Sequence, residues 1–443
     1  SENRTLIASA GGIAHVISAM GAHASAAGVQ ENACSALSNL ACQHSENRTL
    51  IASAGGIAHV ISAMGAHASA AGVQENACSA LCSLAWQHSE NRTLIASAGG
   101  IAHVISAMEA HASAAGVQEK ACRALSSLAC QHSENRTLIA SAGGIAHVIS
   151  AMGAHASAAG VQENACNALS SLAWHSENRT LIASAGGIAH VISAMGAHAS
   201  AAGVQENACS ALSNLAWQHS ENRKLIASAG GIAHVISAMG AHASAAGVQE
   251  NACSALCSLA WQHSENRTLI ASAGGIAHVI SAMEAHASAA GVQEHACRAL
   301  KLFSCQHSEN QKLIASAGGL AHVISAMGAH ASAAGVQEQA CGALSNLACR
   351  HSENQQLIAS AGGIAHVISA MGAHASAAGV QENACGALCS LAWQHSENRT
   401  LIASAGGIAH VISAMGAHAS AAGVQEDACG ALSSLACQHS ENK

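Results

Sequence analysis

SENRTLIASAGGIAHVISAMGAHASAAGVQENACSALSNLACQH, residues 1–44, sets how the rest of the chain is read. Ser1 is expected to cap a short helix carrying Leu6 and Ile7, with Glu2 in the first turn where the helix dipole favours an acid. Gly11-Gly12 ends it, as residues tolerant of positive φ do. Ile13, Val16, Ile17 and Met20 then fall at i, i+3, i+4 and i+7, one apolar face of a second helix. A turn of small residues, Ala22 to Gly28, leads to a third helix with Val29, Ala33, Leu37 and Leu40 on one stripe. Its polar face is read as Gln30, Glu31, Ser35, Ser38 and Asn39, and no strand alternation appears anywhere. One such unit cannot enclose its own apolar faces, but neighbours stacked in register can. The predicted fold is an all-α solenoid.

The stretch restarts at Ser45, Ser89, Ser133, Ser176, Ser220, Ser264, Ser308, Ser352 and Ser396. The expected units are 1–44, 45–88, 89–132, 133–175, 176–219, 220–263, 264–307, 308–351, 352–395 and 396–439, forming a single array. Residues 440–443 open an eleventh unit, and the fourth unit lacks the Gln before His175. Glu109 and Arg123 recur as Glu284 and Arg298, and Cys82 recurs as Cys257, so blocks of four units are also duplicated. The composition follows from this copying. Over 443 residues there is no Pro, no Tyr and one Phe, and only 9% of residues are charged, where ordinary domains have about 25%. Half the chain is apolar, which excludes a highly charged disordered segment.

Asn3-Arg4-x-Leu6-Ile7-x-x-Ala10-Gly11-Gly12-Ile13, then Val29-Gln30-Glu31, then Ala36-Leu37-Ser38-Asn39-Leu40-Ala41, resembles the armadillo repeat in all ten units. The resemblance implies a right-handed superhelix whose third helices line a concave groove. It also implies a non-enzymatic scaffold that binds an extended peptide or a partner protein along that groove. In importin-α-like members an Asn on the third helix holds the peptide backbone, and a Trp one turn earlier forms side-chain pockets. The Asn position here holds Asn39, Asn214 and Asn346, elsewhere Ser83, Ser127, Ser171, Ser258, Ser390 and Ser434, and Leu302 in the seventh unit. The Trp position holds Ser35, Arg123, Asn167, Arg298 and similar residues, never Trp, so the pattern departs from that of nuclear-import receptors. By the resemblance, Asn39 and its eight counterparts other than Leu302, with Ser35, Arg123, Asn167 and Arg298, are the candidate partner-binding residues. The units also differ most on the third helix, while the first two helices barely change.

Eighteen cysteines recur mainly at the Cys34 position and at the end of the third helix, where each unit carries Cys or Trp. They are read as small buried hydrophobes and as an apolar plug beneath the next unit. Many free thiols point to a reducing, cytoplasmic compartment. Thirty-one His recur about 10 Å apart from unit to unit, too far for two rings to share a metal with bonds of about 2 Å, so no metal or cofactor is expected. Their protonation is expected to make the array, formally at −8 with His neutral, cationic and looser in acid. No GxxxxGK, HExxH or GxSxG occurs, which leaves no catalytic motif to build on. Sixteen Lys and Arg with almost no aromatics disfavour nucleic acid. The charge-free run from Leu6 to Gln30 is long enough to span a bilayer, but its Gly pair, His and Ser argue against insertion. The first and last units look like internal ones, where solenoids normally end in polar caps. The chain is therefore expected to come from a longer array, to be a designed array, or to self-associate end to end as a structural element.

Overall fold

The computed structural model describes residues 2–437, so the Ser1 cap and the start of an eleventh unit lie outside the described residues. The Gly-Gly pair sets each repeat's geometry. Gly55 takes φ +79°, the left-handed region, and Gly56 follows it with no room for a side chain. A Cβ on Gly56 would lie 2.6 Å from Ile51 Cγ2 and 2.9 Å from the Ile51 carbonyl oxygen. The first helix therefore stops and the second leaves it at 69° in this repeat, and at 66–71° across all ten. In the second repeat the helices are Ser45–Ser53, Gly56–Ala66 and Ala71–Ala85. Among the described residues all regular structure is helical, thirty helices in ten such triplets. The architecture is an α-solenoid of ten three-helix repeats.

The chain forms two compact units, divided between His234 and Val235. In the first, the third helices Ala27–Ala41, Ala71–Ala85, Ala115–Ala129, Ala159–Leu172 and Ala202–Ala216 pack each on the next. In the second, Ala246–Ala260, Ala290–Ser304, Ala334–Ala348, Ala378–Ala392 and Ala422–Ala436 do the same. The apolar periodicity supplies the core: Ile51, Val60, Met64, Val73, Ala77, Leu81 and Leu84 are buried, as are their counterparts in the third to ninth repeats, whereas Met415, Leu432 and Leu435 in the last repeat are partly exposed. Nine of the ten Cys34-type thiols are buried, and Cys429 in the last repeat is exposed. Burial pushes the Cys34 and Cys122 thiols up to about 12, which keeps them protonated and unreactive near neutral pH.

The structure corrects three sequence expectations. Gln30 does not belong to the polar face. It is 2% exposed, and its amide donates to the carbonyls of Met20 and His23, both at 2.9 Å. The end of the second helix leaves carbonyls without helical partners, and one amide with two donors satisfies two of them. The helix cap is also displaced by one residue. From the second repeat on, Ser45 and its counterparts are helical, and the preceding His is the cap. His44 Nδ1 accepts from the Asn47 N–H at 3.3 Å, and the equivalent bond forms at His88, His132, His219, His263, His307, His351 and His395. Finally, the Cys/Trp residue at the end of the third helix is no plug. Trp86, in an extended conformation at the end of its helix, is 50% exposed, and Trp174 is 62% exposed.

The motif that carries the sequence resemblance has a structural task. Asn47 Nδ2 donates to the Leu40 carbonyl at 2.9 Å, and Arg48 Nε donates to Ala41 at 3.0 Å, closing the open end of the preceding third helix. Turn histidines stitch successive repeats: His67 Nε2 donates to the Ala24 carbonyl at 2.8 Å, and His111 to Ala68 at 2.8 Å. Among the described residues no single helix is long and apolar enough to cross a membrane. Ten bent pairs meet the length and composition together, each broken at its Gly pair.

Candidate interaction face

The third helices leave one side free of the first two, and there the residues expected to meet a partner fall into two kinds. Residues at the Asn39 position mostly bind the previous repeat. Ser83 Oγ lies 3.1 Å from Ser38 Oγ, Ser171 3.0 Å from Ser126, and Ser390 3.3 Å from Ser345. Ser127 and Ser434 are buried beneath the thiols of Cys82 and Cys389, at 3.2 and 3.4 Å. Asn214 donates to the carbonyl and hydroxyl of Ser170, and Asn346 donates to the Lys301 carbonyl at 2.8 Å. Ser258 is 3% exposed. Asn39 is the exposed member of the series.

Residues one turn earlier are more accessible. Arg123 is exposed, and Ser35, Asn167 and Arg298 are partly so. Within each unit the expected residues lie along the stacked third helices, and most of the hydroxyl series is given to inter-repeat bonding. In three successive repeats this earlier position is Gly342, Gly386 and Gly430. A Cβ on Gly342 would sit 2.6 Å from Asn383 Oδ1 and 2.7 Å from the Lys301 side chain. Lys301 therefore lies across a whole repeat, and its ammonium donates to Asn383 Oδ1 at 2.8 Å, 82 residues away.

This crossing opens into a polar cavity of about 290 Å³ that also includes Asn346, Ser390 and Asp427. Burial holds the Lys301 ammonium below the usual lysine range, while Glu338 and Glu382 pull it back up. Burial, with Glu382 and Glu426, pushes the Asp427 carboxyl up. Sequence reasoning missed Lys301 and its crossing to Asn383. The signal was a glycine inside a helix, where it costs about 1 kcal/mol relative to alanine. Such a residue is kept for the space it leaves.

Among the described residues no group of three or more His, Cys, Asp or Glu side chains is placed to hold a metal ion. A family model described as LRRK2 ARM repeat matches residues 10–187, 183–330 and 304–442. This chain belongs to the armadillo-repeat family. Its armadillo fold is shared with the crystal structure of an engineered protein, at TM-score 0.77 and 25% identity over 96% of this chain and 99% of that one. A second engineered protein is similar at TM-score 0.50 and 24% identity, over 56% of this chain and 96% of that one. A structure from work on a phosphorylation switch controlling the interaction between cadherin and beta-catenin is similar at TM-score 0.58. Its 16% identity, over 92% of this chain and 88% of that one, shows the armadillo fold alone. No curated protein matched.

Proposed function

We propose that this armadillo array is a non-enzymatic scaffold that binds an extended peptide or partner protein along the face built by its third helices. The observation that carries the reading is where the repeats diverge. The first two helices are nearly invariant, whereas Lys120, Arg123, Asn167, His295, Arg298, Lys301 and Asp427 all depart from the template on the third helix. A core position cannot drift this way, because burying an unpaired charge is expensive. The reading is supported by the similarity to a structure concerned with cadherin and beta-catenin. The buried, protonated thiols are in keeping with work in a reducing, cytoplasmic compartment.

Site-specific photo-cross-linking tests it. A cross-linker at Asn39, Asn167 or Arg123 is expected to capture a defined partner from extracts of the source cell. The same group at Leu94 or Leu138, exposed on the first helices, is expected to capture none of it. Equal capture from both faces, or from neither, would count against the scaffold.

A further inference from the structure

One cavity in the first unit is built unlike the others. It lies where the first three repeats meet, encloses about 160 Å³, and its lining includes Arg48, Cys82, Ser83, Trp86 and Arg123. The backbone-bonding pattern shows why Arg48 is available there. The equivalent arginines Arg4, Arg179 and Arg267 use Nη1 to close the carbonyl at the end of their own repeat, donating to Cys42, Trp217 and Cys305 at 2.7–2.9 Å. Arg48 makes no such bond. Its Nε is held by Ala41, its side chain is 4% exposed, and its terminal nitrogens are left for the cavity.

Arg92 and Arg136 also lack the Nη bond, but they have no such surroundings. The positions matching Trp86 and Arg123 are Cys130 and Asn167 beside the first, and Trp174 and Ser210 beside the second. Within the first unit, Arg48 is where a buried, partly unpaired guanidinium coincides with an indole and a second guanidinium of the same unit; the duplication repeats the same residue types at Arg223, Trp261 and Arg298. No carboxylate lines the cavity. The nearby Glu119 is engaged by Lys120 at 2.5 Å, and Lys120 and Arg123 both draw the neighbouring Cys82 thiol down against the effect of its burial. The site is therefore locally cationic in a chain of net charge −8.

We propose that this cavity receives one carboxylate side chain, a glutamate or aspartate of the bound segment. The inference rests on the scaffold reading and specifies one of its contacts. The size favours this occupant: small-molecule pockets run to about 300–1,000 Å³, so about 160 Å³ suits a single side chain better than a cofactor. The chemistry is complementary as well. Two guanidiniums present planar sets of donors matched to a carboxylate, and the half-exposed Trp86 ring covers the methylene stem. Because Arg48 is already buried, much of its desolvation cost is met before binding.

The probe is N-acetyl-glutamate N-methylamide, titrated into the full chain at low salt while the Trp86 indole resonance is followed. Trp86→Phe identifies that signal. A saturable shift is expected, with the isosteric glutamine derivative binding about tenfold or more weakly, since a charge-assisted hydrogen bond is worth at least that factor. Arg123→Gln, on an exposed side chain, is expected to leave the circular dichroism and thermal midpoint unchanged and to weaken the glutamate probe about tenfold. Placing the pair elsewhere, as Cys130→Trp with Asn167→Arg, is expected to create a second responsive indole. Equal responses to the two probes, or an undiminished response in Arg123→Gln, would overturn the proposal. Failure here with third-helix cross-linking intact removes the acidic contact and leaves the scaffold. Probe binding without any cross-linked partner removes the scaffold instead.

Discussion

His44 and its counterparts show how much a single side chain decides. An imidazole that accepts the Asn N–H through Nδ1 satisfies one of the donors a helix start leaves open, the task usually given to Ser, Thr, Asp or Asn. Its position depends on the residue before it. Gln43 and seven counterparts, Arg350 among them, take φ of 50–56°, which turns the chain so that the ring falls over the helix start. The fourth repeat lacks that residue, His175 makes no cap, and its Nδ1 is buried without a partner. His88→Ala is expected to cost about 1 kcal/mol, read as faster hydrogen exchange at the Asn91 amide. His175→Ala is expected to change the Asn178 amide by no more than about 0.5 kcal/mol. Equal effects at the two sites would remove the capping role. Asp427 offers a second test at this scale. Its carboxyl is held above the usual range, so the protonated form contributes stability that is complete below about pH 3.8 and is lost as pH rises through the folded value. Asp427→Asn, which restores the template residue, is expected to raise the urea midpoint at neutral pH. The gap should close as pH falls into the carboxylate range.

At the level of helices, the two glycines of each repeat do different things. Gly55 supplies a left-handed φ with open space around its Cβ direction, whereas Gly56 supplies contact between the second helix and the Ile51 carbonyl. Gly55→Ala is expected to cost about 1 kcal/mol, the strain of one residue in the left-handed region. Gly56→Ala is expected to cost about 3 kcal/mol or more, because a backbone oxygen 2.9 Å away cannot rotate aside. Chemical denaturation of the two variants checks the order, and Gly55→Ala proving the more harmful would refute this division of roles. Helix existence was legible from the sequence, since Ile13, Val16, Ile17 and Met20 repeat with helical spacing in every unit. Helix ends were less so. A His cap and a buried Gln look like ordinary surface residues until the backbone shows which carbonyls and amides need partners.

Across the molecule, the same few bonds are made at successive junctions, so a change of conditions acts on many at once. Acid is the clearest case. A protonated imidazole has no lone pair for the Asn N–H, and it places positive charge at a helix N-terminus, where the dipole opposes it. Eight caps and the charge balance of 31 His are affected together. The thermal midpoint is expected to fall between about pH 7.5 and about pH 5.5, and an unchanged midpoint would show that the caps contribute little. By itself the sequence determined the helical class, the repeat period, the apolar stripes and the face on which the repeats diverge. Each of these rests on spacing along one chain, which periodicity records directly. Only the tertiary structure decided which groove residues are spent on neighbouring repeats. It also decided that Lys301 crosses Gly342 to reach Asn383, and that Arg48, Trp86 and Arg123 line one cavity. Those side chains lie on different repeats, and their meeting depends on how the helices stack, which spacing along the chain does not encode.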